Sequence, residues 1–176
     1  MQLHLIQHHL RGIRPAAACM FLLLTACDGG DGDASPQPGD PDYVRDPALN
    51  ITLVSQTSET SSHETGRNCM ECHQSHGPGP GLFTAAGTLY HPDGAPYPNG
   101  SVELRTEAAG GGELILAIQV DGNGNFYTTE PLPLPDQPLY PFIVSPDGES
   151  TTFMPFSTAS AACNICHTGG QRLVAP

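Results

Sequence analysis

The chain has 176 residues, no lysine, and six arginines against 18 acids, for a formal net charge of −12. Such acidity repels nucleic acid and anionic lipid headgroups, which sets aside nucleic-acid binding and adsorption to a lipid surface, and leaves basic proteins or cations as charge-complementary partners. Hydrophobic residues make up 38%, and 20 glycines with 18 prolines leave little room for long helices, so short elements around a thin core are expected.

Residues 1–14 hold two arginines and no acid, and residues 15–26 are small and apolar around Phe21-Leu22-Leu23-Leu24. A positive stretch followed by an apolar run too short to span a bilayer reads as an export signal over 1–26. The run ends in Leu24-Thr25-Ala26-Cys27, which resembles the lipobox of bacterial lipoproteins. That resemblance implies lipidation of Cys27. It also implies a lipid anchor as the only membrane contact, on an exported protein at the periplasmic or outer cell surface. Cleavage without lipidation would leave Cys27 an unpaired thiol in an oxidising compartment. Cys19 leaves with the signal, and loss of 1–26 leaves four arginines against the 18 acids, a charge of −14. Residues 27–50 are rich in Asp, Gly and Pro with few apolar side chains, and read as a flexible acidic tether. The run lacks the full pattern of a calcium loop.

Residues 51–81 form the next unit, with a short strand expected over 51–55. At its centre is Cys69-Met70-Glu71-Cys72-His73, and the pattern returns as Cys163-Asn164-Ile165-Cys166-His167 within 158–176. Two cysteines two apart followed at once by histidine form the attachment signature of c-type haem. Each thiol adds to one vinyl group, so the sulfurs must sit about one helical turn apart. The next residue then offers its imidazole to the iron. Two haem c groups are expected, held covalently by Cys69, Cys72, Cys163 and Cys166, with His73 and His167 as proximal iron ligands. With Cys19 in the signal and Cys27 lipidated, no cysteine is left for a disulfide.

A second axial ligand on each iron must come from elsewhere. The candidates, in order, are His63, Met154, His76 and His91. Gly66 gives a bend that can carry His63 back over the ring. Met154 precedes the second motif by nine residues and suits the second haem, although a core methionine is an equal reading. His76 lies too close to His73 to reach the opposite face of the same iron, so it would serve the other haem or a neighbouring molecule. His91 sits in Tyr90-His91-Pro92-Asp93-Gly94, which also reads as a plain turn. Met70, inside the motif, is sterically unsuited.

Residues 82–157 read as short strands between turns. Strands are expected over 83–90, over 101–105 with Val102 and Leu104 on one face, and over 114–120 with Leu114, Leu116, Ile118 and Val120 on one face. Asp121-Gly122-Asn123-Gly124-Asn125 reads as a hairpin leading into residues 126–129. Residues 139–145 contain Pro141 and read as an edge strand, and residues 151–153 return after Pro146-Asp147-Gly148. The fold expected is mainly β: a small antiparallel β-sandwich with two short loop or helical haem-binding segments at its ends.

The stretches Ala86-Gly87-Thr88-Leu89-Tyr90, Pro92-Asp93-Gly94-Ala95-Pro96, Pro98-Asn99-Gly100-Ser101-Val102-Glu103-Leu104 and Asp121-Gly122-Asn123-Gly124-Asn125-Phe126 resemble the carboxypeptidase-regulatory or collagen-adhesin-B type of β-sandwich. The resemblance implies a structural domain with no catalytic residues. Such a sandwich between two haem motifs resembles small secreted dihaem proteins of metal- or electrode-respiring bacteria, and this resemblance implies His63, in His63-x-x-Gly66-x-Asn68-Cys69, as an axial ligand. The expected function is one-electron transfer outside the cytoplasm, not enzymatic catalysis. Partners would be other redox proteins or copies of the chain itself, stacked as units of a haem chain with His76 or His91 crossing the interface. Two alternatives stand beside it. A small dihaem reductase or peroxidase needs an open iron with an acid or base above it. A surface structural or adhesion module would gather the four cysteines of the two motifs around one zinc ion. Whether the two motifs meet at one pole or lie at opposite ends stays open.

Overall fold

The six residues of Ala85–Tyr90 (β1) are all buried, which a strand with one wet face cannot be. The computed structural model describes residues 36–176, and its layers explain this burial. The expected signal segment, Cys27 and residues 27–35 of the expected tether lie outside the described residues. The further strands are Ser101–Arg105 (β2), Leu114–Gln119 (β3), Asn125–Thr128 (β4), Tyr140–Val144 (β5), Thr151–Phe153 (β6), Ala161–Ala162 (β7) and Leu173–Val174 (β8), with one short helix, Cys163–Cys166 (α1).

The fold is mainly β, a small sandwich of two four-stranded sheets. One sheet runs β3-β2-β5-β6 and is antiparallel throughout. In the other, β1 pairs with β4 antiparallel on one edge. On its other edge it takes two short parallel partners: β7 at Ala85 and Ala86, then β8 at Leu89 and Tyr90. Between the sheets pack Leu89, Val102, Leu104, Ile118, Val120, Phe126 and Leu139, each no more than 2% exposed. Alternation fixes the rest. Ala85 and Leu89 of β1 join this core, while Ala86, Thr88 and Tyr90 face away from it. That outward face is covered by the chain around the two Cys-x-x-Cys-His motifs, so β1 is the middle of three layers. The second motif leaves and rejoins β1 along one edge, since residues 163–172 span the gap between β7 and β8.

Four expectations change. Residues 121–125 do not join a hairpin, because β3 and β4 lie in different sheets. The turn chemistry is as read: Asp121 Oδ1 accepts from the Asn123 and Asn125 N–H groups at 2.8 and 2.9 Å. The strands then diverge, as Val120 N–H donates to Gly100 while β4 pairs with β1. Pro141 does not mark an edge, because β5 lies between β2 and β6. The β6 ladder ends at Phe142, so Pro141 falls beyond it and its carbonyl accepts from Met154. Leu114, expected on the apolar face, is exposed because a bulge between Leu114 and Leu116 pairs Leu114 with Arg105 and breaks the alternation that holds Leu116 opposite Leu104. Residues 51–55 make only one bridge, Val54 to Thr128, along the free edge of β4.

The last part of the stretch read as tether is packed onto the domain. Asp46 caps a single 3-10 turn at Pro47–Leu49, Gly39 N–H donates to the His76 carbonyl at 2.8 Å, and Arg45 is only 9% exposed. The guanidinium brings its own hydrogen-bonding demand inside, and backbone carbonyls from residues 74–81 meet it.

Candidate cofactor site

The outward face of β4 is the floor of a cleft of about 550 Å³. Asn125 and Tyr127 of β4 line the floor, with Phe83 and Leu53 beside them, and residues 61–73 form the walls. Its apolar and aromatic lining and its size match those of cofactor clefts, about 300–1,000 Å³.

The first motif lies in that wall. Asn68 Oδ1 accepts from Met70 N–H at 3.2 Å and starts a 3-10 turn at Cys69–Glu71. Cys72 and His73 both donate backbone N–H to the Cys69 carbonyl, at 3.2 and 3.0 Å. One turn therefore brings both thiols and His73 to the same cleft. The His73 ring stacks flat on Phe83, with centroids 4.0 Å apart and planes 2° apart, and Phe83 stacks on Tyr127 at 5.0 Å. His73 Nδ1 donates to the Pro80 carbonyl at 2.6 Å, which leaves Nε2 free as a ligand atom. Gly79 presses on the same ring: a Cβ there would sit 2.9 Å from it. Burial holds the His73 imidazole below its usual pKa, and His63 and Arg45 push the same way against the Pro80 bond. A neutral imidazole is the form that binds a metal.

His63 faces His73 across the cleft. Their ring centroids are 6.2 Å apart, with the planes tilted by 36°. Two imidazoles bound to one metal ion from opposite sides, each at about 2.0 Å, have ring centres about 6 Å apart. Gly66, at φ +84°, makes the expected bend. Its N–H donates to Thr88 Oγ1 at 3.0 Å, and a Cβ would collide with the Tyr90 hydroxyl.

The second motif occupies α1. His167 N–H donates to the Cys163 carbonyl at 3.0 Å, and His167 Nδ1 donates to the Gln171 carbonyl at 3.0 Å, as His73 does to Pro80. In each motif the first cysteine is partly buried and the second exposed. Burial raises the Cys69 thiol pKa and pushes that of Cys163 up to about 12. The two motifs meet at one pole, and the Cys69 thiol lies near enough to Cys163 to raise its pKa further. Asn164 fastens them. Its Nδ2 donates to the Arg67 carbonyl at 2.8 Å and to Thr88 Oγ1 at 3.1 Å, and its Oδ1 accepts from Thr88 N–H at 3.1 Å. Thr88 Oγ1 passes the network on to Asn125 Oδ1 at 2.7 Å.

The other candidate ligands lie apart from the cleft. His76 is exposed, its Nδ1 3.0 Å from Ser75 Oγ. Met154 follows β6, on the other sheet from both motifs. His91 packs edge-on against Tyr97 at 4.7 Å, one residue past Tyr90, which pairs with Val174 downstream of the second motif. Among the described residues no three His, Cys, Asp or Glu side chains are grouped to hold a bare metal ion, so the four cysteines do not converge on a shared zinc position.

Sequence reasoning passed over Arg45, Asn164, Phe83 and Tyr127. A lone arginine in an acidic stretch and an asparagine inside the Cys-x-x-Cys interval were the available signals. In comparisons with known proteins, no family model, no curated protein and no solved structure matches the chain.

Proposed function

We propose that the protein is a dihaem c-type electron carrier working outside the cytoplasm. The observation that carries this is the pair His63 and His73, facing each other at 6.2 Å across a cleft whose wall bears Cys69 and Cys72. Cys69 and Cys72 would hold one haem by thioether bonds, between His73 and His63. Cys163 and Cys166 would hold the other, with His167 on its iron. When bound, haem iron supplies reversible one-electron chemistry.

The chain's own contribution is placement. Phe83, Gly79 and the Pro80 carbonyl fix the His73 ring before any ligand arrives, so little is lost in ordering it. The aromatic floor excludes water from one side. Asn164 ties the second motif to the backbone just ahead of the first, which favours electron exchange within one molecule. His91 directly follows β1, the strand that β7 and β8 join on either side of the second motif, whereas Met154 follows β6 on the other sheet, and we assign His91 ahead of Met154 to the second iron. Export and a lipid anchor at Cys27 belong to this reading, as do redox partners that include copies of the chain. The acidic surface suits basic partners.

The test is expression in a host with c-haem maturation, followed by haem staining after denaturing electrophoresis. The wild type should stain with two haems per chain. Paired Cys69→Ala/Cys72→Ala and Cys163→Ala/Cys166→Ala variants should each keep one. A colourless wild-type protein overturns the proposal.

A further inference from the structure

Arg45 is a buried cation whose partners are all neutral. Its Nη1 donates to the carbonyls of Gly77 at 2.5 Å and Gln74 at 3.4 Å. Its Nη2 donates to those of Gly79 at 2.5 Å, Leu49 at 3.1 Å and Gly81 at 3.3 Å. Its Nε donates to Asn50 Oδ1 at 2.8 Å. Among the described residues it makes no ion pair. Gly79 and Gly81 flank Pro80, whose carbonyl takes the His73 Nδ1 proton at 2.6 Å. The guanidinium thus grips both sides of the residue that orients His73.

We infer that Arg45 is a positioning residue for His73 and that its fixed charge raises the reduction potential of the centre built on His63 and His73. This rests on the haem reading above. Two physical effects combine. The planar fork gathers several carbonyls at set angles, which an ammonium cannot do. Reduction adds one electron to the centre with no bond made or broken and lowers its charge by one unit. A nearby cation held out of water therefore disfavours the oxidised form. Among the described residues the second motif has no buried arginine: His167 is held by the carbonyl of Gln171, and Arg172 beside it is exposed, with its guanidinium over the Tyr90 ring and its charge screened by water. The two centres of one molecule are then unequal, with the first the better electron acceptor.

The experiment uses the full-length, haem-loaded chain and two variants. Arg45→Gln removes charge and fork; Arg45→Lys keeps the charge and loses the fork. Redox titration followed by visible spectroscopy gives the potentials, with the electrode as the electron source. Electron paramagnetic resonance of the oxidised protein reports the orientation of the axial imidazoles. Arg45→Gln should shift the first centre to lower potential and change its g-values, with the second centre unmoved. Arg45→Lys should change the g-values while holding the potential closer to wild type. Loss of haem from the first site alone also supports the positioning role. A first centre unchanged in both variants overturns the inference, as do both centres moving together or both losing haem. A wild-type chain without haem overturns the haem reading and this inference together, whereas two haems with an indifferent first centre overturn the inference alone.

Discussion

His63 and His73 reach the same cleft by different means, and their substitutions should differ accordingly. His73 is held by stacking, by the Pro80 carbonyl and by burial. His63 stands exposed on a loop turned by Gly66. His63→Ala should therefore leave two haems attached per chain but open one iron, so that the reduced protein binds carbon monoxide at one of its two centres. An unaltered spectrum with no carbon monoxide binding would contradict the pairing. The cysteines offer a second check in the haem-free chain. Cys72 and Cys166 are exposed, whereas burial raises the thiols of Cys69 and Cys163. Since the thiolate is the nucleophile, iodoacetamide at pH 8 should label Cys72 and Cys166 first, as peptide mass spectrometry would show. Equal labelling of all four would refute the packing of the two motifs on β1. That His63 lies near His73 was legible in the residues because both ends of the bend lie within one short stretch. Arg45 was not, because every backbone carbonyl it binds except that of Leu49 comes from some 30 residues downstream.

Among the elements, β1 organises both the core and the site. Its inward residues meet Phe126 and the opposite sheet, and its outward Thr88 is the hub to which Gly66, Asn125 and Asn164 are bonded. Asn164→Ala would leave the buried Thr88 N–H without its acceptor, a loss of about 1–3 kcal/mol. Thermal unfolding followed by circular dichroism should show the drop, and hydrogen exchange should rise in residues 163–172 before the core strands. A change confined to the core strands would contradict the role given to Asn164. The strands with clear alternation were readable: β2 keeps its expected bounds, with Val102 and Leu104 buried. The two-residue strands β7 and β8 carry no periodicity, and their partner β1 lies more than 70 residues earlier. Pro141 misled because a proline rule about edges assumes neighbours as long as the strand itself, and β6 is only three residues long.

For the whole molecule, both motifs share one pole because the chain leaves β1 after Tyr90, builds the second sheet, and returns to the same strand through β7 and β8. The folded region also begins earlier than composition implies, since Arg45 and Asp46 belong to it. A chain beginning at residue 36 keeps Arg45 and Asp46. One beginning at residue 51 loses the Arg45 bonds to loop carbonyls, about 2–3 kcal/mol, and should unfold roughly 10 °C lower. Equal melting of the two would show that residues 36–50 add nothing to the fold. Haem attachment by the two motifs is read out by the pyridine haemochrome spectrum of the protein purified after c-haem maturation. A c-type α-band and two haems per polypeptide are expected. A chain that emerges without haem, or with haem that is extracted by acidified solvent and hence not covalently bound, would contradict that attachment.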